Sequence, residues 1–373
     1  MSGTKACDVL FFLYQSRDEL RVVMTWREST MLTIHASSIL HQLQDIAAKV
    51  SQNITQTVCN LWDLAGSDRR RMQRWNAHGS IETGDRLMHE LVHQQALEMP
   101  QKPALESWDG IVTYSQLDAL SPKLASYLNH HGVGPHIFVP VCFQKSIWAI
   151  IAMLAINKCG AAFVPVDPSV PAERLSSIVR QTKAHVALAC DEQFGSLHDT
   201  GIPVIAIGEN HQDEWADGPG SSFGYPGRTS PAYCLFTSGS TGEPKGCVVG
   251  HAAFASIASH CTSLYLQSDS RVLQFASLGF GMALIEVFCT LSCGATLCIP
   301  SSASRMNSLS QVINDMGVDW VPVQESHIAD WGRLARLIQI YGLTECSGIF
   351  AVSDPIFSSD SEQTVGYPVS GRC

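Results

Sequence analysis

Short apolar, β-rich runs alternate with helical segments through most of this chain, and that alternation restricts the fold more than any other feature. The apolar segment Ile147–Ile156 is predicted to be a buried helix between two such runs. The predicted strands are 139–143, 161–167, 185–190, 202–208, 232–238, 271–277, 295–300 and 318–323. Strands that alternate with helices form largely parallel sheets with helices on their faces. The pattern therefore predicts an α/β fold from about residue 84 onward.

Composition limits the class of protein. Of the 373 residues, 45% are hydrophobic and 16% are charged, as in a soluble globular protein. The formal net charge of −10 argues against a nucleic-acid or anionic-membrane partner. The longest apolar run is about half as long as a membrane span. Because the 13 cysteines occur without a recognisable secretory signal, we expect a reducing compartment and a cytoplasmic protein.

Residues 1–78 are predicted to form a separate unit. Two β-rich runs around the polar turn 15–19 predict a hairpin. A following amphipathic helix is predicted from apolar residues three and four positions apart, namely Ile39, Leu43, Ile46 and Val50. A charged segment then leads, as a predicted linker, into a second unit that covers residues 79–373.

The segment LFTSGSTGEPKGCVVGH, residues 235–251, has the composition of a phosphate-binding loop. Glycines let backbone N–H groups approach an anion, hydroxyl groups add donors, and a lysine adds positive charge. It is not a P-loop of the G-x-x-x-x-G-K-[ST] type, because Gly239 and Gly242 are only three residues apart. In addition, Gly246 rather than a hydroxyl residue follows Lys245. For the string GSTG alone, a flexible surface turn is the alternative interpretation.

Residues 89–93 read HELVH, which matches the H-E-x-x-H pattern of zinc peptidases on a predicted helix. A third ligand in an H-x-x-G-x-x-H continuation does not follow, and with 14 histidines chance matches are expected. A zinc peptidase is therefore kept only as the less favoured alternative. The preferred interpretation is an amphipathic helix that buries Leu87, Leu91 and Val92.

Four stretches together resemble the adenylation domains of nonribosomal peptide synthetases, within the adenylate-forming (AMP-binding) superfamily. They are VTYSQLDALS, NKCGAAFVPVDPSVPAERL, FTSGSTGEPKG and YGLTE, and they occur in the order expected for that family. The resemblance runs from about residue 85 to the C terminus. It implies the large N-terminal subdomain of the adenylate-forming fold, with stacked, largely parallel sheets and flanking helices.

The same resemblance implies ATP-dependent activation of an amino or 2-hydroxy acid in nonribosomal peptide biosynthesis. The acid attacks the α-phosphate of ATP, pyrophosphate leaves, and an acyl-adenylate stays bound. By resemblance, Tyr341 stacks on adenine, Thr344 hydrogen-bonds the α-phosphate, Glu345 holds Mg²⁺ and Lys245 neutralises the phosphates; Lys245, Thr344 and Glu345 are the implied catalytic residues. The implied nucleotide-binding residues are Thr237, Ser238, Gly239, Ser240, Thr241, Gly242, Lys245, Gly246, Tyr341, Gly342 and Thr344.

Residues 1–78 are similar to the last part of a condensation domain, but they lack its H-H-x-x-x-D-G motif, so no condensation chemistry is expected. Few residues separate the predicted strand 318–323 from the YGLTE strand. We therefore expect an internal deletion near 320–330, with unpaired strand groups around 318–340.

A truncated adenylation domain with impaired activity is the interpretation that follows from the resemblance. The small C-terminal lid domain with its catalytic lysine is expected to be absent. A carrier domain is also expected to be absent, and phosphopantetheine would be attached only to such a domain. The alternative is an inactive remnant that binds nucleotide weakly or not at all. The expected partners are ATP, a small carboxylic acid and other synthetase modules.

The implied substrate pocket contains Phe280, Gly281, Met282 and Ile285. In amino-acid-activating members of the family, an aspartate follows the phenylalanine and pairs with the α-ammonium group. Gly281 offers no carboxylate, and a buried cation without a partner is costly. The pattern is similar to the hydroxy-acid-activating domains of fungal cyclodepsipeptide synthetases and predicts an aliphatic 2-hydroxy acid. Degeneration of a once amino-acid-specific site is the alternative.

Overall fold

A computed structural model of the chain describes residues 9–17, 19–27, 31–52, 54–55, 57, 66–76, 86–215, 227–237, 243–323, 336–346, 348–356 and 367–368. The chain divides into two compact units, Met1–Ser80 together with Cys373, and Ile81–Arg372. Among the described residues, no helix combines the length and the apolar character that a membrane crossing requires.

The first unit contains a hairpin and two helices. Strands β1 (Val9–Gln15) and β2 (Leu20–Trp26) pair antiparallel around the predicted polar turn, and this confirms the predicted hairpin. Helix α1 (Thr33–Gln52) confirms the predicted helix, and α2 (Gly66–Asn76) follows it. The Ser38 hydroxyl donates to the Asp68 carboxylate at 3.2 Å and so connects the two helices.

The second unit contains the remaining helices and strands. The helices are α3 (Met88–Glu98), α4 (Tyr114–His130), α5 (Ile147–Lys158), α6 (Ala172–Thr182), α7 (His251–Ala258), α8 (Gly281–Ser292), α9 (Ser302–Asn307) and α10 (Leu309–Asp315). The strands are β3 (Pro103–Ser107), β4 (Gly110–Thr113), β5 (Phe138–Cys142), β6 (Ala162–Val166), β7 (Ala187–Ala189), β8 (Val204–Ala206), β9 (Pro231–Thr237), β10 (Lys245–Gly250), β11 (Arg271–Leu273), β12 (Thr296–Ile299), β13 (Trp320–Val323), β14 (Arg336–Leu343), β15 (Gly348–Val352) and β16 (Tyr367–Pro368).

Two sheets organise the second unit. The six-stranded sheet has the order β10-β9-β6-β5-β7-β8, and it is parallel except for the β9–β10 hairpin. The eight-stranded sheet has the order β16-β15-β14-β13-β11-β12-β3-β4, with parallel pairs in the middle and antiparallel pairs at its ends. The predicted α/β fold with largely parallel sheets is therefore confirmed.

Helix α5 is the predicted apolar helix, and it is buried along nearly its whole length. The Ser146 hydroxyl accepts from the backbone N–H of Ala149 at 3.3 Å and caps its first turn. Near its other end, the Asn157 side chain donates to the carbonyl oxygen of Ala232 at 2.8 Å. A helix that is apolar all round is stable only inside a protein, so α5 belongs to the core that supports strand β9.

Strand β14 pairs in parallel with β13, from Trp320 opposite Arg336 to Val323 opposite Gln339. Strand β13 pairs with β11 on its other side, so the unpaired strand edge expected here is absent at β13. A parallel crossover needs about a dozen residues or more, and the connection 324–335 has about this length and lies outside the described residues. The internal deletion itself stays a prediction.

Candidate functional site

A cavity of about 490 Å³ lies where several strand ends meet helix α8. Its wall includes Leu235 from β9, Pro322 from β13 and Thr344, which follows β14. In open α/β folds, ligands bind at the carboxyl ends of parallel strands. Its volume is within the range of small-molecule sites, and its position makes it the candidate ligand site.

All four residues predicted to form a substrate pocket line this cavity, namely Phe280, Gly281, Met282 and Ile285. Phe280 has an extended backbone just before α8, and its side chain is 68% exposed, so it lies at the rim. Gly281 begins the helix. Met282 and Ile285 are three residues apart on α8, so they share the face of the helix that borders the cavity.

The space beside Gly281 is open enough for a side chain. A Cβ atom at this position would lie 3.6 Å from Leu235 Cδ1 and 3.8 Å from Thr344 Oγ1, which are ordinary contact distances. A carboxylate on residue 281 would therefore lie close to the Thr344 hydroxyl. The glycine leaves this place in the cavity without a charge.

The end of β14 meets the end of β9. The Thr237 hydroxyl donates to Glu345 Oε1 at 3.4 Å, and the Cys247 thiol donates to the carbonyl oxygen of Thr344 at 3.3 Å. Gly342 and Thr344 line the cavity, whereas Tyr341 is 49% exposed and lies outside its lining. The structure thus brings together predicted residues from two segments that are about a hundred positions apart.

Lys245 lies opposite Thr237 in the β9–β10 hairpin, and its side chain is exposed outside the cavity. The predicted loop residues Ser238, Gly239, Ser240, Thr241 and Gly242 lie outside the described residues. Gly246 packs closely: a Cβ there would lie 3.1 Å from Cys234 Sγ and 3.2 Å from Phe236 Cζ. Close packing within the hairpin therefore explains this glycine without reference to a phosphate.

Two charged residues that the sequence did not single out hold the segment 274–277 in place. Lys145 Nζ donates to the carbonyl oxygen of Gln274 at 3.2 Å and also to that of Phe275. Glu286 accepts from the backbone N–H groups of Phe275 at 3.0 Å and of Ala276 at 3.1 Å. One side chain thus satisfies the carbonyl groups of this turn and the other its N–H groups.

Burial shifts the pKa values of this pair in opposite directions. It raises the pKa of Glu286 to about 7, against the attraction of Lys145. It lowers the pKa of Lys145 to about 8, against the attraction of Glu286. A charged residue within an apolar helical stretch, such as Glu286 in GMALIEVF, is the sequence signal that could have revealed the pair.

Asp167 fixes the same turn from another strand. It follows β6 and accepts from the hydroxyls of Ser277 and Ser169. Burial alone would raise the pKa of Asp167, but the hydrogen bonds from Ser169 and Ser277 outweigh it and hold the pKa below its usual value. The cavity wall formed by 274–277 is therefore rigidly positioned.

The HELVH histidines do not form a metal site. The ring of His89 lies edge-on against that of His251, with centroids 5.7 Å apart, and burial lowers the pKa of His89 to about 3. His93 Nδ1 instead lies 2.9 Å from a carboxylate oxygen of Asp118. Among the described residues, no three His, Cys, Asp or Glu side chains form a group that could hold a metal ion. The zinc-peptidase hypothesis therefore has no support. The predicted burial of Leu87 and Val92 is confirmed, whereas Leu91 is only partly buried.

The model of the family described as "AMP-binding enzyme" matches residues 92–330, which is more than half of the chain. The chain belongs to the AMP-binding enzyme family. Members of this family use ATP, usually with Mg²⁺. The resemblance inferred from the sequence motifs is confirmed.

This AMP-binding chain is similar to fungal nonribosomal peptide synthetases. It is 54% identical to the nonribosomal peptide synthetase benY of Aspergillus terreus over 351 residues, which cover 87% of the chain and 32% of benY. It is 36% identical to the nonribosomal peptide synthetase anaPS of Neosartorya fischeri over 397 residues, which cover 98% of the chain and 16% of anaPS. The chain therefore spans about a third or less of the length of these relatives.

Solved structures share the fold of this AMP-binding chain. The nonribosomal peptide synthetase FmoA3 bound to α-methyl-L-serine-AMP has a TM-score of 0.75 at 20% identity, covering 99% of this chain and 46% of FmoA3. The Klebsiella oxytoca NpsA N-terminal subdomain with 3-hydroxybenzoyl-AMSN has a TM-score of 0.66 at 20% identity, covering 77% of this chain and 79% of NpsA. The fold class is therefore that of adenylation domains.

Proposed function

We propose that residues 81–372 bind ATP and a carboxylic acid without an α-ammonium group, as the substrate-binding part of an acyl-adenylate-forming enzyme. The observation that carries this proposal is the open space at Gly281 next to the Thr344 hydroxyl, inside the cavity. Members of the family use ATP. In this proposal the acid lies in the cavity and the nucleotide lies along the joined ends of β9 and β14.

The nucleotide residues proposed from the motifs occupy fitting positions. Thr344 faces the cavity, where its hydroxyl would donate to the α-phosphate. Lys245 and Thr237 lie opposite each other at the end of the hairpin where the connecting loop begins and ends, and from there residues 238–242 would contact the outer phosphates. Tyr341, at the end of β14, is the residue proposed to stack on adenine. Positioned donors of this kind stabilise the charge that develops on phosphate oxygens as the carboxylate attacks the α-phosphate and pyrophosphate leaves.

The donor chemistry beside Thr237 fits Mg²⁺. Glu345 and Thr237 offer a carboxylate and a hydroxyl oxygen 3.4 Å apart, and Glu345 is exposed. Proteins bind Mg²⁺ through one or two carboxylates together with nucleotide phosphates and water. Glu345 is therefore the proposed magnesium ligand. When bound, the ion would neutralise phosphate charge.

The acid pocket explains why an α-ammonium group would be disfavoured. Residue 281 is where a counter-charge would lie close to Thr344, and glycine provides none. Glu286 is the carboxylate in the described lining. It lies about 7.5 Å from Gly281 along the axis of α8, and its oxygens accept hydrogen bonds from backbone N–H groups. A buried cation near Thr344 would therefore lack a partner and would bind weakly.

Two classes of acid satisfy this condition. The first is the 2-hydroxy acids, whose hydroxyl group needs no counter-charge, and Met282 and Ile285 offer apolar contacts to an aliphatic side chain. The second is the aryl acids, since the NpsA structure holds a 3-hydroxybenzoyl group in the same fold. We favour the 2-hydroxy acids for the first test and use aryl acids as the second series.

For the first unit, we infer the C-terminal part of a condensation domain, as its sequence resemblance implies. The similarity to anaPS supports this assignment because it covers 98% of the chain and so extends into this unit. Carrier domains and other synthetase modules are the corresponding proposed partners.

The decisive experiment replaces Gly281 with aspartate. We expect the full chain to bind 2-hydroxy-3-methylbutanoate at least about tenfold more tightly than valine, measured by calorimetry in the presence of ATP and Mg²⁺. Gly281→Asp should reverse this preference, because its carboxylate would pair with the ammonium group of valine. Because a Cβ atom at position 281 would make only ordinary contacts, we expect thermal unfolding to change little.

Gly281→Asn is the matched control, since asparagine has the size of aspartate without its charge. It should not improve valine binding. Equal affinity of the wild type for valine and its hydroxy analogue, or equal effects of the two substitutions, would count against the proposed acid class. A chain that binds neither ATP nor any acid would instead support the inactive-remnant alternative.

A further inference from the structure

Arg305, in helix α9, is a cation in the wall of the proposed acid pocket that none of the sequence motifs included. Its guanidinium carbon lies 5.7 Å from the centroid of the Phe275 ring, and Phe275 lines the same cavity. Its Nε atom is buried and has no hydrogen-bond partner among the residues that the structure describes. Because the buried Nε atom is out of reach of a ligand, a ligand carboxylate in the cavity would pair with the terminal nitrogen atoms of the guanidinium group.

The carboxylates that hold the turn 274–277 are engaged by other groups. Glu286 accepts from the 274–276 backbone and faces Lys145, and Asp167 accepts from Ser169 and Ser277. Lys145 donates to two carbonyl groups of the same turn. Among the described residues, no carboxylate forms an ion pair with Arg305, so its positive charge is not neutralised by the pocket itself.

From their separate neighbours we infer that Arg305 and Gly281 lie toward different ends of the cavity. Gly281 is next to Thr344, where the acid would meet the nucleotide. Arg305 stacks on Phe275, whose backbone N–H is bound by Glu286, and Glu286 lies about 7.5 Å beyond Gly281 along α8. The lining between these ends is mainly apolar, with Met282 and Ile285 on the helix side.

We propose that Arg305 selects acids that carry a second carboxylate at the end remote from the carboxyl group to be activated. This inference rests on the proposed function of the cavity and refines its substrate class. A carboxylate there would supply a counter-charge in a charge-assisted hydrogen bond to the terminal guanidinium nitrogens. The apolar residues in between would contact the methylene groups of such an acid.

A purely structural role makes a different prediction. Arginine side chains also stack on aromatic rings and pack their methylene groups on apolar surface. If this were the whole role of Arg305, the pocket would not distinguish acids by their remote end. Replacing Arg305 would then change stability but not the ratio of affinities for two matched acids.

The test compares matched pairs of acids on the full chain by calorimetry, in the presence of ATP and Mg²⁺. The two acids of a pair have the same chain length and differ only at the remote end. The series begins with 2-hydroxybutanedioate and 2-hydroxybutanoate and ends with 2-hydroxyhexanedioate and 2-hydroxyhexanoate. For the best-fitting length, we expect the dicarboxylic acid to bind roughly tenfold to a hundredfold more tightly. The ratio should fall to near one in Arg305→Met and be retained in part in Arg305→Lys, which keeps the charge.

Arg180→Met is the matched control, because Arg180 lies on α6, exposed and outside the cavity lining. It should keep the wild-type ratio. The proposal is overturned if no pair shows a preference, if no dicarboxylic acid binds to the wild type, or if Arg305→Met leaves the ratio unchanged. An ATP titration of the same proteins distinguishes failure of this inference from failure of the proposed function. ATP binding without a preference for dicarboxylic acids refutes only this inference. A wild type that does not bind ATP refutes the proposed function.

Discussion

Similar apolar sequences have different environments in the two units. In the second unit, the rings of Phe163, Phe254 and Phe288 pack together, with centroids 5.8 Å and 5.9 Å apart for the two pairs that include Phe288. In the first unit, Phe12 is 42% exposed and Leu13 is 67% exposed on strand β1. Both segments have strong β or core character in sequence. Burial therefore depends on whether further layers cover an element, and a two-stranded hairpin offers none by itself.

The helices repeat this contrast. Helix α5 buries almost every one of its residues. By contrast, Leu43, Ile46 and Val50 on α1 remain more than a third exposed. The apolar stripe on α1 was predicted correctly, but the described part of its unit provides little core to receive it. The first unit thus has the elements of a larger layered structure, while the second unit forms its own core.

The largest expected effect tests this contrast directly with two phenylalanines. Phe288→Ala should lower the free energy of unfolding of the second unit by about 3–5 kcal/mol, because it leaves a cavity between packed rings. Phe12→Ala should lower stability by less than about 1 kcal/mol, since the ring is already half exposed. Urea denaturation of the full chain, followed by tryptophan fluorescence, measures both. Equal losses from the two substitutions would contradict the comparison.

Acid should destabilise the second unit through two buried histidines. Burial lowers the pKa of His89 to about 3 and that of His251 to about 4, from about 6.5 in the unfolded chain. The unfolded state therefore binds protons first, so the contribution of these two histidines to stability is constant well above pH 6.5 and falls as the pH drops toward these values. At pH 5 we expect a loss of about 2 kcal/mol for each histidine, measured by urea denaturation across this range.

Glu286, whose pKa is raised to about 7, changes stability in the opposite direction over this range, so the histidine effect is measured as a difference between variants. Between pH 7 and pH 5, His89→Leu should lose about 2 kcal/mol less stability than the wild type. His41→Gln on exposed helix α1 is the control and should leave the dependence unchanged. An equal pH dependence of the wild type and His89→Leu between pH 7 and pH 5 would show that His89 is not buried as a neutral group.

Nucleotide binding should depend on the second unit alone. Lys245→Ala is expected to weaken ATP binding by about 1–3 kcal/mol, since it removes a charge-assisted contact to phosphate. Lys49→Ala is the matched control, because Lys49 lies on α1 in an ion pair with Asp45, and it should leave ATP affinity unchanged. Calorimetric titration with ATP measures the affinity of the wild type and of both variants. Identical titrations of wild type and Lys245→Ala would exclude the proposed phosphate role.

Much of the fold followed from local sequence. Each predicted strand of the second unit is present. The sequence motifs also identified Gly281 and Thr344, which line the cavity. Strands β10 and β15 were not predicted, because their pairing depends on neighbours rather than on periodicity alone. The direct pairing of β14 with β13 also depends on the neighbouring sheet and was not foreseen.

The sequence by itself determined which segments become strands and helices, because hydrophobic periodicity and caps such as Ser146 act over a few residues. It also determined the family, through motifs whose residues are adjacent in the chain. Only the tertiary structure decided that Thr237 meets Glu345, that Lys145 and Glu286 hold one turn, and that Arg305 reaches the cavity. These contacts join distant parts of the chain, and no local pattern encodes the strand order that brings them together.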